Sequence, residues 1–191
     1  MRLSVVVPLL VTLFVAATGY WATCLTNLRL ARRKDHLERV NRQLSELYGP
    51  LYAQAEASDR AWHKFAARYG TVWTASAPAT AEQAAATWRL WMSTVCMPLN
   101  RRMVETVVGH ADLLREDTIP EPLKELCAHV ACYEPIVARW QEDGFVSVQL
   151  DDHVSIAGNF PRAELDAYLR SSFEALKLEQ ARLLAQMQRL S

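Results

Sequence analysis

The chain has 191 residues, 21 of them basic and 21 acidic, but the balance is uneven along its length. Five basic residues (Arg2, Arg29, Arg32, Arg33, Lys34) and no acidic ones fall in the first 34 positions, which leaves residues 35–191 with a formal charge of −5. An acidic body without a basic stripe argues against a nucleic-acid partner, because phosphate neutralisation supplies most of such affinity.

No charged side chain occurs from Leu3 to Leu28. A stretch of about 20 apolar residues suffices for a helix to cross the ~30 Å hydrocarbon layer while satisfying its own backbone hydrogen bonds. Tyr20 and Trp21 suit the headgroup level, and the basic cluster that follows marks a cytoplasmic end. The expectation is a transmembrane helix over 1–28 with its N-terminus outside, and a cytosolic helical domain over 29–191. That places a single-pass protein in the bacterial inner membrane. Arg29, Arg32, Arg33 and Lys34 are candidate contacts to lipid headgroups, beside their simpler role as an orientation signal. Thr12, Ala16, Gly19 and Thr23 offer a small-residue face for helix association. A signal peptide cut near Ala17-Thr18-Gly19, or a lipoprotein signal ending at Cys24, is the alternative.

Beyond the cluster, apolar residues recur at helical spacing, and four helical segments are predicted. The first runs from about Leu28 to Tyr69, with Leu37, Val40, Leu44, Leu47 and Leu51 as its seam and a kink or break at Gly49-Pro50. Gly70 ends it, and Thr71 to Ala79 reads as a loop. Thr80-Ala81-Glu82-Gln83 has the form of a capping box opening the second segment, about Ala81 to Leu114. Its inward face would be Trp88, Trp91, Met92, Val95, Leu99, Met103, Val107 and His110, bent near Pro98. Asp117 to Pro122 is a turn. The third segment, about Pro122 to Glu142, carries Leu123, Cys127, Val130, Val137 and Trp140. Phe145 to Leu150 could be a short extended piece, and Asp151 to Asn159 a polar loop. The last segment starts near Pro161 and runs almost to Ser191, with Leu169, Phe173, Leu176, Leu183, Met187 and Leu190 on one stripe and Gln180 at the seam. The predicted fold is all-α: an antiparallel bundle of about four long, partly kinked helices behind the membrane helix.

The stretch Asn41-Arg42-Gln43-Leu44-Ser45-Glu46-Leu47-Tyr48-Gly49-Pro50-Leu51-Tyr52 resembles an NxQLxxLYGPLY-like pattern of uncharacterised bacterial single-pass membrane proteins. Met97-Pro98-Leu99-Asn100, His110-Ala111-Asp112-Leu113 and Phe160-Pro161 add to it. The resemblance implies an architecture and no activity.

Three groups of residues could carry function. Tyr48, Gly49, Pro50 and Tyr52 place two rings on one side of a bent helix, which fits a hinge or specific packing. Trp62, Trp88, Trp91 and Trp140, with Arg89 and Arg139 beside three of them, could line a ligand or partner groove, although core packing explains them more simply. Arg29, Arg32, Arg33 and Lys34 at the membrane end are the third. No metal site is expected: Cys127, His129 and Cys132 point apart on a helix, as do His110 and Asp112, and Asp151-Asp152-His153 is one acidic loop. Cys96, Cys127 and Cys132 read as small buried apolar residues of a reducing cytosol. Glu134 reads as a surface carboxylate. Nucleotide-loop and nucleophile-elbow motifs are absent, and no Glu-x-x-His pair suggests a di-iron bundle. No cofactor is expected. The function expected is a non-enzymatic, membrane-anchored interaction or scaffold protein that binds lipid and either itself, as a homo-oligomer, or a protein partner. The alternative is a membrane-anchored sensor or effector, in a stress or phage-defence setting, whose bundle signals to an oligomerised membrane helix; an enzyme is a third class.

Overall fold

The computed structural model describes the backbone of residues 3–69, 78–142 and 160–189, with side chains from Leu13 onward in the first stretch, as far as Arg68, and from Ala85 onward in the second. The extended piece at 145–150, the loop 151–159 with Asp151, Asp152 and His153, and most of the loop 71–79 lie outside the described residues.

All described elements are helical. Helix α1 (Leu3–Arg42) passes into a π-helical turn (Gln43–Tyr48) and then α2 (Gly49–Tyr69). Helix α3 (Pro78–Trp91) passes through a second π turn (Met92–Cys96) into α4 (Met97–Gly109). A short 3-10 turn (Ala111–Leu113) leads to α5 (Glu121–Glu142), and α6 (Arg162–Gln188) follows. These make four rods, as the apolar spacing predicts. Helix α3 opens at Pro78, so Thr80 lies within the helix rather than at its cap; proline in the first turn outweighs the capping box.

Both expected kinks are π turns. Proline has no N–H and its ring presses on the carbonyl four residues back. Widening the helix by one residue just before the proline relieves both problems. Accordingly the N–H of Gly49, preceding Pro50, reaches the Leu44 carbonyl, and that of Met97, preceding Pro98, reaches the Met92 carbonyl. In the second turn the hydroxyls of Ser93 and Thr94 both donate to the Leu90 carbonyl, at 3.1 and 2.6 Å. Pro135 sits inside α5 without such a turn, on an exposed position. The extra residue also turns the buried face. Cys96, Met97 and Asn100 are buried, whereas the expected Val95 and Leu99 are only half-buried. In the first turn Gln43 is buried in place of Leu44 for the same reason.

The chain divides into two compact units, residues 42–178 and residues 1–41 with 179–191. In the larger unit α2 packs on α4 and α4 on α5; α2 touches the second π turn and α4 the first. Helix α6 runs antiparallel to α2, as the order of partners shows: Asp59 with Arg162, Glu56 with Arg170, and Tyr52 with Phe173. Leu47, Leu51, Met97, Met103, Leu123, Leu126, Tyr133, Trp140, Leu165 and Leu169 form its core.

In the smaller unit the end of α6 lies along α1. His36 Nε2 is 2.8 Å from Glu179 Oε1, and the Gln180 amide donates to Asn41 Oδ1 at 2.6 Å. Val40 and Leu183 are buried; Leu30, Arg33, Leu37 and Met187 are half-buried. From Leu13 to Leu28 the large apolar side chains of α1 are exposed: Leu13, Phe14, Val15, Tyr20, Trp21, Leu25 and Leu28. The span expected over 1–28 does not emerge as one among the described residues, where no helix is long and apolar enough to cross a membrane; the described side chains begin only at Leu13.

Candidate functional site

The first π turn is where buried polar groups gather. Tyr48 is fully buried, and its hydroxyl accepts the backbone N–H of Arg115 at 3.2 Å while lying 3.1 Å from the Tyr168 hydroxyl. Tyr168 donates to Glu116 Oε2 at 3.1 Å, and Tyr48 lies 3.4 Å from the same oxygen. Burial pushes the Tyr48 phenol up, and the Glu116 charge adds to this. Burial, followed by the hydrogen bond to Tyr48, also pushes Tyr168 up. Both are neutral hydroxyls that hand a hydrogen bond to one carboxylate. Five residues earlier, the buried Gln43 amide donates to the Leu113 carbonyl at 2.9 Å. The π turn thus holds the connection after α4 at two points, Leu113 and Arg115–Glu116.

Gly49 is required by this geometry. A β-carbon there would run into the Leu44 carbonyl, the acceptor that the π turn brings beneath it. Pro50 is half-buried beside it, and Tyr52 stacks on Phe173 at 5.4 Å. Tyr48 and Tyr52 therefore both meet α6, one through its hydroxyl and one through its ring face.

Among the described contacts, the four candidate tryptophans do not form one group. Trp62, Trp88 and Trp91 converge on the buried Phe65, with ring centroids at 6.2, 5.5 and 5.5 Å from it, and Trp62 meets Trp88 edge-on at 5.4 Å. Arg162 caps this cluster: its guanidinium lies 5.1 Å from the Trp62 ring and 6.0 Å from Phe160, and Nη1 is 2.9 Å from Asp59 Oδ1. Trp140 is buried edge-on to Tyr133 at 6.4 Å. Arg89 is buried and Arg139 exposed.

Tyr133 leads to His129, 4.8 Å away, which also meets Phe160 edge-on at 5.1 Å. Burial lowers His129 to about 4, so it is a neutral ring at physiological pH. Burial raises the Cys96 thiol to about 11, which makes it inert as a nucleophile. Of the three cysteines expected in the core, Cys96 is buried, Cys127 intermediate and Cys132 exposed, because α5 turns Leu126 and His129 inward at those levels. Among the described residues no group of three metal-ligating side chains comes together. Glu134 is at the surface, gripped by both arms of the Arg101 guanidinium at 2.6 and 2.7 Å. That hydrogen bond holds its carboxyl below the usual range.

Arg29, Arg32 and Lys34 are exposed and Arg33 is half-buried. Sequence reasoning missed Gln43, Arg115, Glu116 and Tyr168, and the role of Arg162. Nothing local marks them, since their partners lie 52 to 120 positions away. Compared with protein-family models, curated proteins and solved structures, the chain matches none.

Proposed function

We propose that this chain is a single-pass membrane protein whose helical bundle serves as a non-enzymatic interaction or scaffold module at the cytoplasmic face of the bacterial inner membrane. The observation that carries the proposal is the exposure of α1. At 100° per residue, Leu13, Phe14, Val15, Tyr20, Trp21, Leu25 and Leu28 spread over about 220° of the helix surface, and the remaining side holds the uncharged residues Ala16, Gly19, Thr23, Thr26 and Asn27. No side of this stretch carries a charge, whereas an amphipathic surface helix sets charged residues opposite its apolar face. Its threonines fit lipid too. Thr18, Thr23 and Thr26 each donate to a carbonyl of their own helix, at 2.8–3.0 Å, so their hydroxyls need no water. Residues 13–28 alone fall short of a span of about 20 residues. The sequence continues them upstream with Leu3 to Thr12, which is also uncharged. The basic cluster sets the bundle on the cytoplasmic side.

The test is extraction and topology of the intact chain. It should resist alkaline carbonate and dissolve only in detergent, and a reporter after Ser191 should be active in the cytoplasm. Release by carbonate, or a reporter on the outer side, overturns the proposal.

A ligand-driven sensor is the second reading, favoured by the two π turns, a helix form concentrated at functional positions. It requires a ligand with different affinity for two bundle states. A thermal shift of the purified chain with a nucleotide or metal would support it.

A further inference from the structure

We propose that the C-terminal end of α6 returns to the membrane surface and, together with the start of the cytoplasmic part of α1, forms one cationic face that docks on anionic phospholipid headgroups. The inference rests on the membrane-anchored reading above and adds a second lipid-binding segment far away in sequence.

The smaller unit supplies the geometry. His36 meets Glu179 and Asn41 meets Gln180, which fixes the level of the two helices. On α1 the covered stripe runs N-terminally from Val40 through Leu37 and Arg33 to Leu30; on α6 it runs C-terminally from Gln180 through Leu183 to Met187. Only an antiparallel pair covers both stripes. Each helix rises ~1.5 Å per residue, so Arg189 comes back roughly level with Arg29, the first charge after the apolar stretch. Arg182 stands roughly level with His36 by the same count.

Charge supports the same partner. The two helices, with Arg189 one residue past the end of α6, carry Arg29, Arg32, Arg33, Lys34, Arg182 and Arg189 within this short height, and Arg39 above them, against three acidic residues, Asp35, Glu38 and Glu179. All six but Arg33 are exposed. The unit of residues 42–178 has the opposite balance, 13 basic against 18 acidic residues. Positive charge is thus concentrated where the apolar helix ends, and basic residues near an anionic leaflet gain binding energy individually. An acidic protein would match the charge, but only a lipid surface is continuous with the apolar helix that precedes Arg29.

The experiment is hydrogen–deuterium exchange of the full-length chain in nanodiscs of phosphatidylcholine, with and without added phosphatidylglycerol. Anionic lipid should slow exchange about tenfold over residues 180–188 as well as over 29–36, and high salt should remove the difference. Arg182→Gln with Arg189→Gln should abolish the slowing in the C-terminal segment and leave that at 29–36 in place; both residues are exposed, so the fold tolerates the change. If residues 29–36 respond to lipid charge and 180–188 do not, the inference is overturned and the anchor stands. Equal protection of 180–188 in neutral and anionic discs also overturns it. A chain that fails to enter either disc overturns the anchor and this inference together.

Discussion

Tyr48 shows how one hydroxyl can fix a turn. It is fully buried and shared among the Arg115 N–H, Tyr168 and Glu116. Tyr48→Phe keeps the ring packing and strands those partners, so it should cost about 1–2 kcal/mol in urea unfolding of the detergent-solubilised chain. Tyr168→Phe should act on the same network. The two substitutions together should therefore cost less than their sum, with a coupling of at least about 0.5 kcal/mol in a double-mutant cycle; strict additivity would show that the hydroxyls work independently. His129 gives a pH dependence of fixed sign. Its folded value is lowered to about 4 from an ordinary 6.5, so the unfolded chain takes the proton first. Stability is complete above about pH 7 and falls as the pH drops from 6.5 toward 4, by roughly 3 kcal/mol in all. His129→Phe preserves the contacts to Tyr133 and Phe160 and should flatten that window; an unchanged pH profile would assign the loss to other groups. The sequence marks Tyr48 as notable through its Tyr-Gly-Pro-Leu-Tyr setting. Its partners were not legible, because Tyr168 lies 120 positions away and no local pattern encodes that pairing.

At the scale of elements, the prolines told where the helices depart from regularity, and the type of departure came from packing. Pro50 and Pro98 each follow a π turn, while Pro135 is accommodated on the solvent side of α5 with none. The difference matters because a π turn moves the buried face by one position. That is why Cys96 and Asn100, rather than Val95 and Leu99, face inward. Periodicity reads a constant 3.6 residues per turn and cannot register this slip. The four rods themselves were legible, since the stripe Val40-Leu47-Leu51 survives it and the stripe Leu169-Leu176-Leu183 lies in a helix without such a turn. Two glycines separate the effects. Gly49→Ala drives a methyl group onto the Leu44 carbonyl, a backbone atom held in the π turn, and should destabilise by about 1–3 kcal/mol. Gly109→Ala meets nothing within 4 Å and should be neutral or stabilise by up to about 1 kcal/mol. The urea midpoints of the two variants should move in opposite directions from wild type, or Gly109 not at all; equal losses would refute the account of the π turn.

For the whole molecule, the distribution of the core decides which part opens first. The candidate tryptophan site was only partly legible at this scale: three of the four rings meet at Phe65, but the distance between Trp140 and that cluster depends on how whole helices pack. The same packing divides stability unevenly. Of the described apolar side chains that are buried, only Val40 and Leu183 belong to the unit of residues 1–41 and 179–191; the rest lie within 42–178. A helix pair with so little covered surface is marginal in water, so its amides should open locally rather than wait for global unfolding. In neutral detergent, residues 31–41 and 181–188 should exchange at least about a hundredfold faster than α2, α4 and α5, and small additions of urea should leave those fast rates unchanged. Val40→Ala should speed them further without moving the unfolding midpoint of the larger unit, whereas Leu51→Ala, which opens a fully buried position, should lower that midpoint through a loss of about 2–5 kcal/mol of stability. Uniform exchange across all helices would mean that the chain unfolds as one cooperative block, and that the short helix pair is far more strongly held than its buried surface explains.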